Sequence, residues 1–325
     1  MNRRGILASP LAVTLAGILA ALLAGPVAAE YPERPVTVIH NYGPGTASDA
    51  TARSLAEAFS QHFGQPFPVV NRDGASGVVG TRAMAASPAD GSTILIGPMT
   101  AVTTQPHLVK DTGLSPATVA PVCNVSANML GVVVRAESPW RNGADLVAAA
   151  RQGALSFGST GQLSLSAIGV HRLAAATGGG QYIAVPFRSD APSLTEVLAG
   201  RLDFASTLLA NATPHLRAGT LRLVGVFANR RFPDMPEVPT FPEQGIDAQQ
   251  MSYAGILAPL NTPQPVLHRL EAACAAAMRS APWQRAVAQF GIVVDHRDRA
   301  SFAALLQREY RDLGAVLQEL GARPE

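Results

Sequence analysis

Residues 36 to 63 constrain this chain more than any other stretch. Val36-Thr37-Val38-Ile39 is β-branched throughout and reads as a buried strand. Ala52, Leu55, Ala56, Phe59 and Phe63 then form the apolar stripe of a helix. Between them lies the glycine-rich turn Asn41-Tyr42-Gly43-Pro44-Gly45-Thr46-Ala47-Ser48-Asp49, with Thr46 and Asp49 spaced as a capping box. A strand handed through such a turn into a helix commits the chain to α/β layering. It also leaves free backbone N–H groups at the positive end of a helix dipole, a seat for a carboxylate or another anion. The turn is not a nucleotide fingerprint. Gly43 and Gly45 supply G-x-G, but Ser48 stands where the third glycine belongs, and no lysine follows in P-loop register.

Upstream, Arg3 and Arg4 precede an apolar run from Ile6 to Ala24, and Pro26-Val27-Ala28-Ala29 ends in small residues. This is the pattern of an export signal over residues 1–29, cleaved after Ala29 and leaving a periplasmic chain. Pro10, the many alanines and the cleavage-like site argue against a retained membrane anchor. The remainder is about 296 residues, enough for two lobes. Without Arg3 and Arg4 the 25 basic residues become 23, against 23 acidic ones, so the basic excess of the whole chain says nothing of nucleic acid. The seven histidines show no ligand spacing, so neither a metal nor another cofactor is expected. Cys123 and Cys274 are too few for a disulfide framework; two separate buried thiols are expected, with a single bridge as the alternative.

Strand, loop and helix repeat from Tyr31 onward. Pro68-Val69-Val70 and Ile94-Leu95-Ile96 read as further buried strands of a mostly parallel sheet. Loops starting at Asn41, Asn71 and Gly97 then gather beyond the carboxyl ends of these strands, where such sheets bind ligands. This places Tyr42, Gly45, Thr46, Ser48, Asp49, Ser76, Gly77 and Thr100 in one candidate region. After a strand at Leu130–Val134 a second unit starts. Leu155-Ser156-Phe157 leads into Gly158-Ser159-Thr160-Gly161-Gln162-Leu163-Ser164-Leu165-Ser166 and another helix. Ser159, Thr160, Ser164 and Ser166 form the matching hydroxyl-rich turn, and two such turns across a cleft suit the two ends of a dicarboxylate. Phe157 occupies the first glycine of a G-x-S-x-G elbow, so Ser159 is not expected to be a nucleophile, and the chain is not expected to be an enzyme. Residues 230–247 read as a surface connection and the tail as helical.

Together these marks resemble the Bug-type extracytoplasmic receptors of tripartite tricarboxylate transporters, from about Tyr31 to Leu320. They include Tyr31-Pro32-x-x-Pro35, Pro44-Gly45-x-x-x-Asp49 with Arg53, and Asn71-Arg72-x-Gly74-Ala75-x-Gly77. Ala89-Asp90-Gly91, Gly158-Ser159-x-Gly161, Val185-Pro186, Val238-Pro239-Thr240 and Leu257-Ala258-Pro259 follow in order. The resemblance implies a two-lobed periplasmic binding protein fold, each lobe a mixed, mostly parallel sheet flanked by helices and hinged by crossover strands. Residues 30–128 and 252–325 would form one lobe and 129–251 the other. It further implies a monomeric receptor that closes on a small organic anion and presents it to membrane permease subunits, or to a sensor kinase instead. Arg188 and Thr207 stand at positions where the family differs, and both join the candidate ligand-binding residues.

Overall fold

A computed structural model describes residues 31–324; the expected export signal lies outside them. Strand and helix alternate through β1 (Thr37–His40), α1 (Ala47–Phe63), β2 (Val69–Asn71), α2 (Val78–Ala85), β3 (Thr93–Pro98) and the one-turn α3 (Thr100–Thr103). Next come β4 (Val119–Arg135) and α4 (Gly143–Gln152). A second alternating run follows: β5 (Leu155–Ser159), α5 (Leu165–Ala176), β6 (Tyr182–Pro186), α6 (Asp190–Leu198), β7 (Phe204–Leu208), α7 (Leu209–Arg217) and β8 (Leu221–Val226). The chain ends with β9 (Met251–Pro259), α8 (Gln264–Ala277), α9 (Ala281–Phe290), β10 (Val294–Arg297) and α10 (Arg299–Glu319).

The two alternating runs have the same plan. β1 lies between β2 and β3, all parallel, and β5 lies between β6 and β7, again all parallel. Antiparallel strands connect these trios. β9 pairs with β3 and with β4 from Val119 to Met129, while β4 from Leu130 onward pairs with β7 and β8. The sequence pattern shows this strand only from Leu130. Its first half is interrupted by Pro121, Asn124 and Ser126, where bulges shift the register against β9. The architecture is the expected α/β one, helices flanking ten mixed strands whose two parts are connected through the long strand β4.

Separate cores support the halves. Leu55, Phe59, Ile94, Ile96, Ile256 and Trp283 share one, and Phe157, Phe204, Phe227 and Phe241 share another. α10 touches both sides. Its Phe302, Leu305 and Leu306 pack with Ile39, Leu95 and Leu257, whereas Leu313 and Leu317 pack with Ile168 of α5.

Two expectations are corrected here. Cys123 and Cys274 form a disulfide with their sulfurs 2.04 Å apart, not two separate thiols. The fold brings β4 and α8 together under the first sheet, a proximity across 151 residues that spacing alone cannot reveal. Residues 230–247 are more than a surface connection. Phe232, Phe241 and Ile246 are buried in the cores of the second half, so the prolines there shape a segment that covers β8.

Candidate functional site

Five of the six parallel strands pass into loops at their carboxyl ends and β7 runs straight into α7; most candidate residues sit on these loops or the helix starts that follow, while Ser159 ends β5 and Thr207 lies within β7. At the first seat Thr46 is the N-cap of α1, with extended backbone, and its hydroxyl accepts from the Asp49 N–H at 3.1 Å. The amides of Ala47 and Ser48 have no acceptor among the described residues and lie at the mouth of the turn.

Asp49 is the organiser of this turn. Its carboxylate accepts from Gly45 N–H at 3.0 Å, Arg53 Nε at 3.0 Å and Asn71 Nδ2 at 2.8 Å. Asn71 also donates to the Tyr42 carbonyl, tying β2 to the loop. Burial raises the Asp49 pKa, but the hydrogen bonds from Arg53, Asn71 and Gly45 outweigh it and hold the group below the ordinary carboxylate value. The charge is therefore absorbed inside the loop and does not face an incoming anion. Because the folded pKa is depressed, its stabilisation is complete above about pH 4 and drains away as pH falls through the folded value. Asp49→Asn will cost about 1–2 kcal/mol, since its amide group must face donors. Relative affinities for amine-bearing and plain acids will not change. Chemical denaturation and ligand titration of the variant check both statements.

The neighbouring loop is wound left-handed. Gly74, Ala75, Ser76 and Gly77 all have positive φ, at 126°, 46°, 51° and 91°. Alanine and serine disfavour this region by roughly 1–2 kcal/mol each. What holds them is a clamp on the Ser76 carbonyl, which accepts from Tyr42 Oη and Thr100 Oγ1, both at 3.3 Å, while those two hydroxyls lie 3.0 Å apart. Tyr42, Ser76, Gly77 and Thr100 thus meet in one place, with Gly77 against the Tyr42 ring.

Beneath this seat is His40, a residue that periodicity does not single out although it closes β1 just before the turn. It is fully buried, with Nδ1 donating to the Ile96 carbonyl at 2.7 Å and Nε2 3.3 Å from Ser48 Oγ. Burial lowers its pKa, which leaves Nε2 as an acceptor for the Ser48 hydroxyl.

The second seat repeats the first. Ser164 caps α5 and accepts from Ala167 N–H at 3.3 Å; it donates to the Gly161 carbonyl at 2.7 Å and lies 2.9 Å from Ser166 Oγ. Ser159 donates to the same carbonyl, and the Thr160 amide reaches Ser166. The Leu165 and Ser166 amides have no acceptor among the described residues. Thr207 is buried and, with the Leu208 amide and Asn211 Nδ2 (2.6 Å), holds the buried Asp190 of α6. Burial outweighs these bonds and raises the Asp190 pKa, the reverse of Asp49, because no arginine accompanies it. Arg188 is exposed and makes no hydrogen bond or ion pair among the described residues.

A recess joins the two sides. Thr100 and Thr103 from the first half, Leu165 from the second, Ser252 and Tyr253 of β9, and Glu309 of α10 line it. Of the expected residues only Thr100 borders it. Glu309 escapes a loop-by-loop reading because it lies in the middle of the last helix. Among the described residues no helix is long and apolar enough to cross a membrane.

The family described as the tripartite tricarboxylate transporter family receptor matches residues 51–322. Protein BugT of Bordetella pertussis is 29% identical over 326 residues, covering 94% of this chain and 95% of its own length. A TctC solute-binding protein from Polaromonas superposes with a TM-score of 0.80 at 25% identity, over 89% of this chain and 99% of its own. The R. palustris protein Rpa4515, solved with adipate, gives a TM-score of 0.75 at 28% identity over 91% of this chain and all of its own (100%). The chain belongs to the tripartite tricarboxylate transporter receptors, the Bug-type solute-binding family.

Proposed function

We propose that this protein is a periplasmic receptor that captures one small organic acid between its two halves and delivers it to a tripartite tricarboxylate-type permease. The observation that carries this reading is the pair of capped helix N-termini, one in each half and each with two unpartnered amides; Leu165 at the second borders the recess between the halves, as does Thr100, which is bonded to Tyr42 of the first turn. Amides aimed from a helix start suit a carboxylate and need no charged clamp. The adipate seen in Rpa4515 agrees with an acid as ligand. No step of chemistry is required of the chain, which acts as a monomer.

Capture works by closure. The recess holds about 10 Å³, room for about one water-sized group. An organic acid needs more space, so the halves must part to admit it, bending where β4 and β9 cross between them near residues 128–130 and 250–253. With the acid in place, amides from both sides hold its ends and favour the closed form.

Thermal denaturation against di- and tricarboxylates, acidic amino acids and aromatic acids tests this. An acid at one hundred times its dissociation constant will stabilise the chain by about 2.7 kcal/mol. If only sugars or metal cations raise the transition, the carboxylate assignment is wrong.

A further inference from the structure

We infer that His40 is a positioning residue for the first seat: when an organic anion settles on the amides of Ala47 and Ser48, His40 Nε2 takes up a proton from solvent and the Ser48 hydroxyl turns its own proton to the anion. The inference rests on the receptor reading above and adds to it a coupling between capture and pH.

The first argument is the chain of hydrogen bonds that ends in the seat. His40 Nδ1 lies 2.7 Å from the Ile96 carbonyl, an oxygen that can only accept, so Nδ1 holds its proton in either state of the ring. The choice is left to Nε2, whose neighbour at 3.3 Å is Ser48 Oγ. A hydroxyl can donate or accept, and Ser48 therefore follows the ring. Facing a neutral imidazole, it donates inward to Nε2. Facing an imidazolium, it accepts from Nε2, and its own proton needs another acceptor. Thr46 Oγ1 lies 3.0 Å away but already accepts from the Asp49 amide. An anion on the seat is the stronger acceptor.

The second argument is position. His40 is the last residue of β1 and Ser48 the second residue of α1, so the turn between them joins ring and seat. The Ser48 N–H is one of the two amides without an acceptor among the described residues. One residue thus offers the seat an amide and a hydroxyl, and only the hydroxyl answers to His40. The second seat has the same plan without a titrating group. Ser166 is the second residue of α5, but its hydroxyl lies 2.9 Å from Ser164 Oγ and accepts from the Thr160 amide at 3.4 Å. β5 ends in Ser159 where β1 ends in His40. A bound acid therefore draws at most one proton, through the first seat.

The third argument is the electrostatic setting. His40 is fully buried, and burial lowers its pKa below the ordinary histidine value. The Ile96 carbonyl of β3 and Asp49 of α1 pull it back up, and Arg53 of α1 pulls it down. Asp49 and Arg53 are paired with each other at 3.0 Å, so the carboxylate nearest the ring is already matched. Arg72, just after β2, meets His40 through its amide on the His40 carbonyl, and the Tyr42 ring lies 6.4 Å from the imidazole. An anion on the seat brings an unmatched negative charge to the far side of Ser48 and raises the pKa of the ring.

The sign of the pH dependence follows. Because binding raises the His40 pKa, the added affinity is complete below the free value and is lost as pH rises through the bound value. A rise of about one pKa unit makes the whole effect about tenfold.

The test titrates the full chain by calorimetry with fumarate, tartrate and benzoate, whose carboxyls stay ionised over the range used, and with any further acid that the thermal screen finds. Buffers of unlike ionisation enthalpy reveal the protons exchanged. Wild type is expected to take up a proton, fractionally and most strongly near about pH 6, and to bind up to about tenfold more weakly at about pH 8. His40→Gln keeps a donor for the Ile96 carbonyl but cannot titrate, so it is expected to bind with no proton uptake and with an affinity that pH does not change. Ser48→Ala leaves the ring in place and is expected to lose most of the gain at low pH. Proton uptake that persists in His40→Gln overturns the inference, as does wild type binding an acid with no proton exchanged. That last result leaves the receptor reading standing, whereas a chain that binds no organic acid overturns both.

Discussion

A chain with both Cys123 and Cys274 changed to alanine will lose about 2–5 kcal/mol of folding stability. The bridge spans 151 residues, so cutting it restores much conformational freedom to the unfolded chain. On the folded side, both sulfurs belong to the core formed by Leu55, Phe59, Ile94 and Trp283, and alanine leaves part of that volume empty. The seats lie on loops away from this core, so ligand affinity will hardly change at temperatures where the variant is folded. Urea titration of wild type and variant measures the loss. A midpoint that does not move would mean that the bridge adds nothing to the packing around it.

Gly80→Ala is expected to be the most damaging single change near the first seat. Three glycines enclose the buried Asn41. A Cβ at Gly77 would lie 2.8 Å from Asn41 Nδ2, and one at Gly97 would lie 2.2 Å from Asn41 Oδ1. At Gly80 the obstacle is main chain, with Arg72 O at 2.5 Å and Asn41 Cα at 2.9 Å. No rotamer change relieves that contact, so α2 must move away from the loop. The cost is about 1–3 kcal/mol of stability. Asn41 also donates to Thr81 and to the Pro98 carbonyl, so the displacement will disturb the Tyr42–Thr100 clamp and weaken ligand binding as well. Denaturation and ligand titration together check the two effects. Loss of stability with unaltered affinity would show that the seat does not depend on how α2 packs.

Much of this was legible before the fold, and the reasons differ by element. The two capped turns could be read because their signals are local: a short strand, β-branched in the first case, then a glycine turn, a hydroxyl cap and a helix within a few dozen residues, at 36–63 and again at 155–176. Even there one detail changed. Asp49 reaches the Gly45 amide, not that of Thr46, because Arg53 and Asn71 pull the carboxylate toward β2. The disulfide could not be read, since topology alone brings β4 and α8 together. β10 is too short and too polar to stand out, with Asp295, His296 and Arg297 in its four residues, and it exists as the partner of β4. Nothing in the local pattern marks His40 at the end of β1. Nor does the pattern mark Glu309, in the helix whose packing against both halves only the fold reveals.

The central claim, that one acid is held by two helix starts, is tested most directly by taking one amide from each. Proline at the first helical position is tolerated and removes the N–H there. Thr46 and Ser164, which precede those positions, already have the extended backbone that proline requires of its neighbour. Calorimetric titration of the best-stabilising acid into Ala47→Pro, Leu165→Pro and wild type is the measurement. The account predicts one site per chain and a loss of roughly tenfold to a hundredfold in each variant, the worth of a hydrogen bond to a charged group. Wild-type affinity in either variant would contradict it, because the acid would then be held from one side only.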